Sequence, residues 1–351
     1  MKQPIIIYSF GRSGSNILLD CLDLSSVTHC RNEVHRYPSS PLNQKILKAD
    51  DVNLEHRLAE HWDEFVNYTN SRWGYLDRHH PQALLKDYYQ KFWDRLGVTR
   101  FLIRKNRTRK LFSFIYEEFE REEYKLPNWL LVPNYEEISV PVFKTLIFLE
   151  NCLPWIMNER PDTKVIHLIR YPLGYAKSLY KRLYKNQDAT HFHEANRLNL
   201  ITRLKKAQSI GLDFPLKKSE LEFLSELEII VWNWAIGNQI IYQQGKINDR
   251  QTFIITYEQL LINPVETVKS IYDYCELPWS IEIENAINFT FKSSGSLATD
   301  YKSIFSEQEQ EITKNIISKF SLKNLWNNEM WSDLDKIKAE DKDDTISYSP
   351  Y

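Results

Sequence analysis

The sequence predicts an α/β fold with a central parallel sheet flanked by helices. Three observations carry that expectation. A strand-like run, a short loop and a helix follow one another in that order three times along the chain. The runs are continuous rather than alternating, as in Pro4-Ile5-Ile6-Ile7-Tyr8-Ser9-Phe10, which suits strands covered on both faces. Hydrophobic residues make up 42% and charged residues 26% of 351, the balance of a globular chain with a sizeable core.

The first unit takes Pro4 to Phe10 as a strand, turns through the small residues Gly11 to Ser15 and enters a helix over Asn16 to Leu22. Residues 45–96 are polar, rich in His and aromatic residues, and read as helical. Arg100 to Arg104 reads as a further strand, with a charged helix over Lys110 to Glu123 after it. The second unit is a strand over Thr163 to Arg170, the turn Tyr171-Pro172, and a helix from about Gly174 to Tyr184. Leu221, Leu224, Leu227, Ile230, Val231 and Trp234 recur at helical spacing and predict a helix from Glu220 to Gln244. The third unit is a strand over Thr252 to Tyr257 and a helix over Pro264 to Cys275. This gives one domain over residues 1–332 with a less typical, largely helical insertion at about 40–140. A polar tail follows over 333–351, with a charge cluster at Lys338 to Asp344.

Composition excludes several classes. Forty-five Lys+Arg against 47 Asp+Glu leave a net charge of −2, which excludes a globally basic nucleic-acid binder but not a local basic pocket. Nine glycines exclude a collagen-like or Gly-rich chain. Cys21, Cys30, Cys152 and Cys275 are scattered and form no C-x-x-C pair, so buried free thiols are expected rather than a disulfide scaffold or a zinc site. The apolar run near the N-terminus is too short for a signal-peptide core, and no stretch approaches the ~20 apolar residues that span a bilayer. The expectation is a soluble, cytoplasmic protein with neither nucleic acid nor membrane as partner, its oligomeric state left open.

Two motifs carry chemistry. Gly11-Arg12-Ser13-Gly14-Ser15-Asn16 lies between a strand and a helix, where unpaired N–H groups and the positive end of the helix dipole suit a phosphate or sulfate. The glycines allow close backbone approach, Ser13 and Ser15 add hydroxyls, and Arg12 adds a planar, permanently charged fork. No Lys-Ser or Lys-Thr follows the second glycine, so the ATPase loop and its magnesium logic are not reproduced. In the second motif Arg170 ends a buried-type strand, where ligands bind in open α/β sheets. Ser178 stands eight residues on, in the next helix. Strand end and helix hydroxyl are placed to grip one anion from two sides.

Together the two motifs resemble those of sulfotransferases that use 3′-phosphoadenosine 5′-phosphosulfate (PAPS), in particular soluble bacterial members. Gly11 to Asn16 is similar to the family's 5′-phosphosulfate loop, and Arg170, Pro172 and Ser178 keep the spacing of its 3′-phosphate motif. Tyr257-Glu258-Gln259-Leu260 resembles the later segment whose Tyr lies near the adenine. Asn263-Pro264, Leu277-Pro278-Trp279, Phe143-Lys144 and Trp155 fit as well. The resemblance implies a P-loop-like three-layer fold, PAPS as donor, 3′,5′-adenosine bisphosphate as product, and no required metal. It implies that Gly11, Arg12, Ser13, Gly14, Ser15 and Asn16 hold the 5′ end, that Arg170 and Ser178 hold the 3′-phosphate, and that Tyr257 lies by the adenine. A loop at Lys292, Ser293, Ser294 and Gly295 then closes over the 3′-phosphate. Arg104 with Ser113 is a rival for the 3′-phosphate motif, at a spacing of nine rather than eight.

The chain departs from the cytosolic pattern at Lys144-Thr145-Leu146, where a His that acts as base is missing. A branch that includes the tyrosylprotein sulfotransferases takes its base from a Glu shortly after the first helix. Glu33 stands there, with His35 and His29 as second choices. Arg12, Ser15 and Lys144 then meet the charge on the leaving phosphate and the transferring sulfonate. The acceptor is expected to be a small molecule with a hydroxyl or amine, such as a guanidinium alkaloid of bacterial secondary metabolism. Some of Trp62, Trp73, Tyr75, Tyr88, Tyr89 and Trp93 are expected to line its pocket. A P-loop-type nucleotide kinase and a noncatalytic nucleotide-binding module are the competing classes.

Overall fold

Among the described residues five strands, all parallel, make one sheet: β1 (Ile5–Tyr8), β2 (Thr28–Asn32), β3 (Val140–Thr145), β4 (Lys164–Ile169) and β5 (Thr252–Thr256), side by side in the order β2-β3-β1-β4-β5. The computed structural model describes residues 3–11, 13–25, 27–32, 42, 54–69, 140–145, 149–186, 189–247, 249–292 and 304–326. Every strand therefore ends on the same edge of the sheet. β1 is central, with Ile7 in register with Lys144 of β3 on one side and Ile166 of β4 on the other.

Helices cover both faces. Successive side chains of a strand point to opposite faces, and β1 divides accordingly. Ile5 and Ile7 pack with Leu18, Leu19 and Leu22 of α1 (Ser15–Asp23), and with Ile271 and Tyr272. Ile6 and Tyr8 pack with Trp62 and Phe65 of α2 (Leu54–Thr69), and with Ile236 and Ile240. The remaining α-helices of the described residues are α3 (Leu149–Glu159), α4 (Pro172–Asn186), α5 (Ala189–Ser209), α6 (Glu226–Ile247), α7 (Tyr257–Ile262), α8 (Pro264–Tyr274), α9 (Ile281–Lys292) and α10 (Glu307–Ile317). α6 is buried nearly all round, and the Tyr272 hydroxyl of α8 donates to the Cys21 carbonyl of α1 at 2.8 Å. Phe143, Trp155 and Trp62 are core residues: Phe143 meets Phe65 edge-on, and Trp62 meets Trp155. All four cysteines are free and buried.

The structure corrects the expected elements in three places. The long helix begins at Glu226, not Glu220, because Ser225 and Glu228 bond reciprocally as a capping box and fix its start. The helix after β4 begins at Pro172, whose missing N–H is harmless in a first turn. β2 and β3 were not expected as strands. β2 is polar because it lies at the sheet edge, and β3 carries Pro141 at its second position, ahead of the first residue that pairs with β1. Of the stretch 45–96, residues 54–69 are helical as expected; the expected strand at 100–104 and helix at 110–123 lie outside the described residues.

Candidate active site at the strand ends

The turn after β1 closes with the Ser13 N–H donating to the Phe10 carbonyl at 3.2 Å. Gly14 then caps α1 in the left-handed region, at φ 89°. Two independent requirements make this residue glycine. Its φ disfavours any side chain, and a Cβ would overlap the ring of Tyr257 at Cδ2. Glycine offers no side chain to cap the N–H groups at the start of α1. Ser13 and Ser15 are buried beside them, and the Ser13 hydroxyl has no hydrogen-bond partner among the described residues. The buried hydroxyls of Ser9 and Thr145, at the ends of β1 and β3, are likewise unpartnered there.

Tyr257, the first residue of α7, links this loop to the second motif. The Arg170 guanidinium lies 4.6 Å from its ring centroid, a cation–π contact. Burial raises the Tyr257 phenol, and Arg170 partly offsets this. Arg170 is itself buried at the end of β4, and a Cβ on Gly174 would fall 2.9 Å from its Nε. Gly174 thus makes room for Arg170. Ser178, one helical turn beyond Gly174, lies on the same helix face and is half-buried. The two motifs, far apart in sequence, meet through a single aromatic ring.

On the other side of β1, the Lys144 ammonium is buried and donates to the Asn16 side-chain oxygen at 2.6 Å. A cation is thereby fixed beside the first turn of α1. β2 ends at Asn32, which is in register with Lys144. Arg12, Glu33, His35, Ser293, Ser294, Gly295 and the rival pair Arg104 and Ser113 lie outside the described residues, as do the side chains of His29 and Lys292.

Sequence reasoning quotes Glu258 within the Tyr257–Leu260 segment and gives it no role. Glu258 is fully buried. Its carboxylate accepts from the Tyr171 N–H at 3.0 Å and from the Trp326 indole N–H at 3.0 Å. Burial pushes its carboxyl up, against the pull of those donors and of Arg170. Only its place beside Tyr257 in the sequence hinted at the site. Among the described residues no group of three or more His, Cys, Asp and Glu side chains is placed to hold a metal ion, and no helix is long and apolar enough to cross a membrane.

A family model described as "Sulfotransferase family" matches residues 4–280. No curated protein matches the chain closely enough to count as a relative. Among solved structures, the sulfotransferase domain of the Synechococcus PCC 7002 olefin synthase is 14% identical, with 90% of this chain and 95% of that one covered at a TM-score of 0.40. The sulfotransferase domain from the curacin biosynthetic pathway is 15% identical, with 81% and 77% covered at a TM-score of 0.37. Retinol dehydratase, in complex with androsterone and the inactive cofactor PAP, is 14% identical, with 99% and 82% covered at a TM-score of 0.29. Identities and TM-scores are low, and the assignment rests on the family model, which spans well over half the chain: this protein belongs to the sulfotransferase family.

Proposed function

We propose that this chain transfers a sulfonate group from PAPS to a hydroxyl or amine of a small-molecule acceptor. The observation that carries the reading is the contact of Gly14 with Tyr257 and of Tyr257 with Arg170, which brings two anion-binding motifs to one region. One nucleotide phosphorylated at both ends needs such a pair. The unpartnered, buried Ser13 hydroxyl and the uncapped start of α1 suit its 5′ end.

PAPS supplies the sulfonate together with a leaving group already poised to depart. The chain's residues then position and neutralise charge, as in phosphoryl transfer. Arg12 and the N–H groups of residues 13–16 bind the leaving phosphate. Lys144 and Ser15 face the sulfonate oxygens, and Asn16 holds the Lys144 ammonium in place. Arg170 and Ser178 bind the 3′-phosphate and so select this donor over ATP, with Lys292, Ser293, Ser294 and Gly295 closing over it. Tyr257 lies by the adenine. Glu33 takes the acceptor proton, since β2 delivers the chain to the sheet edge beside Lys144; His35 and His29 are the alternatives.

A thermal-shift panel tests the donor. Stabilisation by 3′,5′-adenosine bisphosphate without magnesium is expected. Stabilisation by Mg-ATP alone would instead identify a nucleotide kinase. An acceptor screen read by mass, seeking the gain of SO₃, separates an enzyme from a binding module.

A further inference from the structure

β4 and β5 are neighbours, and the dipeptides that follow them are fastened twice. Arg170 stacks on Tyr257, and the N–H of Tyr171 donates to Glu258. The second oxygen of Glu258 is taken by Trp326, which lies just past the 3₁₀ turn Ser321–Leu325 and packs against Tyr171 and Trp234 at ring-centroid distances of 5.6 and 6.0 Å. Each carboxylate oxygen therefore has one N–H donor at 3.0 Å, one from beside Arg170 and one from the C-terminal part of the chain.

We propose that Glu258 is a positioning residue for the 3′-phosphate site, and that Trp326 is the part of the C-terminal segment that holds it there. The inference rests on the PAPS reading above. Glu258 touches no reacting atom. It fixes the backbone of Tyr171, and through it the direction in which Arg170 leaves the sheet. The start of α7, on which Tyr257 stands, is held separately by the reciprocal bonds of Thr256 and Gln259. A buried carboxylate keeps this arrangement only while both oxygens are bonded, because an unpaired buried charge is costly.

The test measures the affinity of the full chain for 3′,5′-adenosine bisphosphate and for 5′-AMP by isothermal titration and takes the ratio. General loosening of the fold weakens both ligands together, whereas misplacement of Arg170 weakens the bisphosphate alone. Trp326→Phe and Glu258→Gln are each expected to cut the ratio by about tenfold. The double variant is expected to regain most of it: a Gln oxygen still accepts from Tyr171, and no indole N–H remains unanswered. Trp326 is only partly buried, so Trp326→Phe carries the test if Glu258→Gln does not fold. A ratio unchanged in both single variants, equal weakening of both ligands, or a double variant no better than the singles overturns this inference and leaves the PAPS reading standing. A wild-type chain that does not prefer the bisphosphate overturns the PAPS reading and this inference with it.

Discussion

The Tyr257 ring carries the Arg170 guanidinium at 4.6 Å, and its edge lies where a side chain on Gly14 would have to stand. One residue therefore sets the spacing between the loop after β1 and the end of β4. Removing the Arg170 fork should cut affinity for 3′,5′-adenosine bisphosphate by roughly ten- to a hundredfold, with 5′-AMP affected far less. Arg170→Lys should recover little, because an ammonium neither stacks as a plane nor binds through two parallel N–H groups. Titration calorimetry on Arg170→Ala and Arg170→Lys checks both statements.

Gly14→Ala meets two obstacles, a φ of 89° and overlap of the new methyl with the Tyr257 ring. The backbone term alone is about 1–2 kcal/mol, and Tyr257 must also move. Thermal unfolding should shift downward and bisphosphate binding should be lost. Adding Tyr257→Ala should restore part of the stability and none of the binding. If Gly14→Ala binds like the parent, the loop does not hold the nucleotide.

Lys144→Met removes the ammonium that donates to Asn16 and leaves the stem's packing. The turnover number should fall by about 10²–10³ while bisphosphate affinity stays within a few fold, as expected of a group that meets charge developing in the transition state. Single-turnover kinetics with saturating donor separates the two.

Glu33→Gln should lower turnover by about 10²–10⁴ with donor binding nearly intact. Turnover that survives within a few fold moves the base elsewhere, and His35→Asn is then the next variant to assay.

His167 gives a pH prediction. Its ring is fully buried between Tyr8 and Asn238, and burial holds it down at about 4 against 6.5 for a free imidazole. The unfolded chain takes up the proton first, so this group's stabilisation is complete above 6.5 and is lost as pH falls toward 4. The loss is on the order of 3 kcal/mol. His167→Gln, which stays neutral, should unfold with a shallower dependence on pH between 6.5 and 4 in urea titrations.

The sequence made the three strand–loop–helix units legible because β1, β4 and β5 are short apolar runs followed by turn residues. It hid β2 and β3 for opposite reasons. Thr28-His29-Cys30-Arg31-Asn32 is too polar to read as a strand, since an edge strand pairs on one side only, and Pro141 argued against β3. Gly14, Arg170, Ser178 and Tyr257 could be picked out because spacing along a chain survives in sequence. Glu258 is quoted with Tyr257, but no role could be read for it, because it looks like a solvated carboxylate in the first turn of a helix. Its two donors, at Tyr171 and Trp326, come together only in three dimensions. Arg170 and Gly174 are a further case, since the glycine's purpose is the room that its neighbour's guanidinium needs.

The order of the strands has a geometric corollary. The chain leaves the sheet from β2 at Asn32 and re-enters it at Val140 of β3, so Lys144 stands on the β3 flank of β1. Arg170, Tyr257 and Glu258 are anchored on the other flank. β1 and the loop at its end lie between the two flanks, so a molecule that reaches both Lys144 and Arg170 must cross the end of β1.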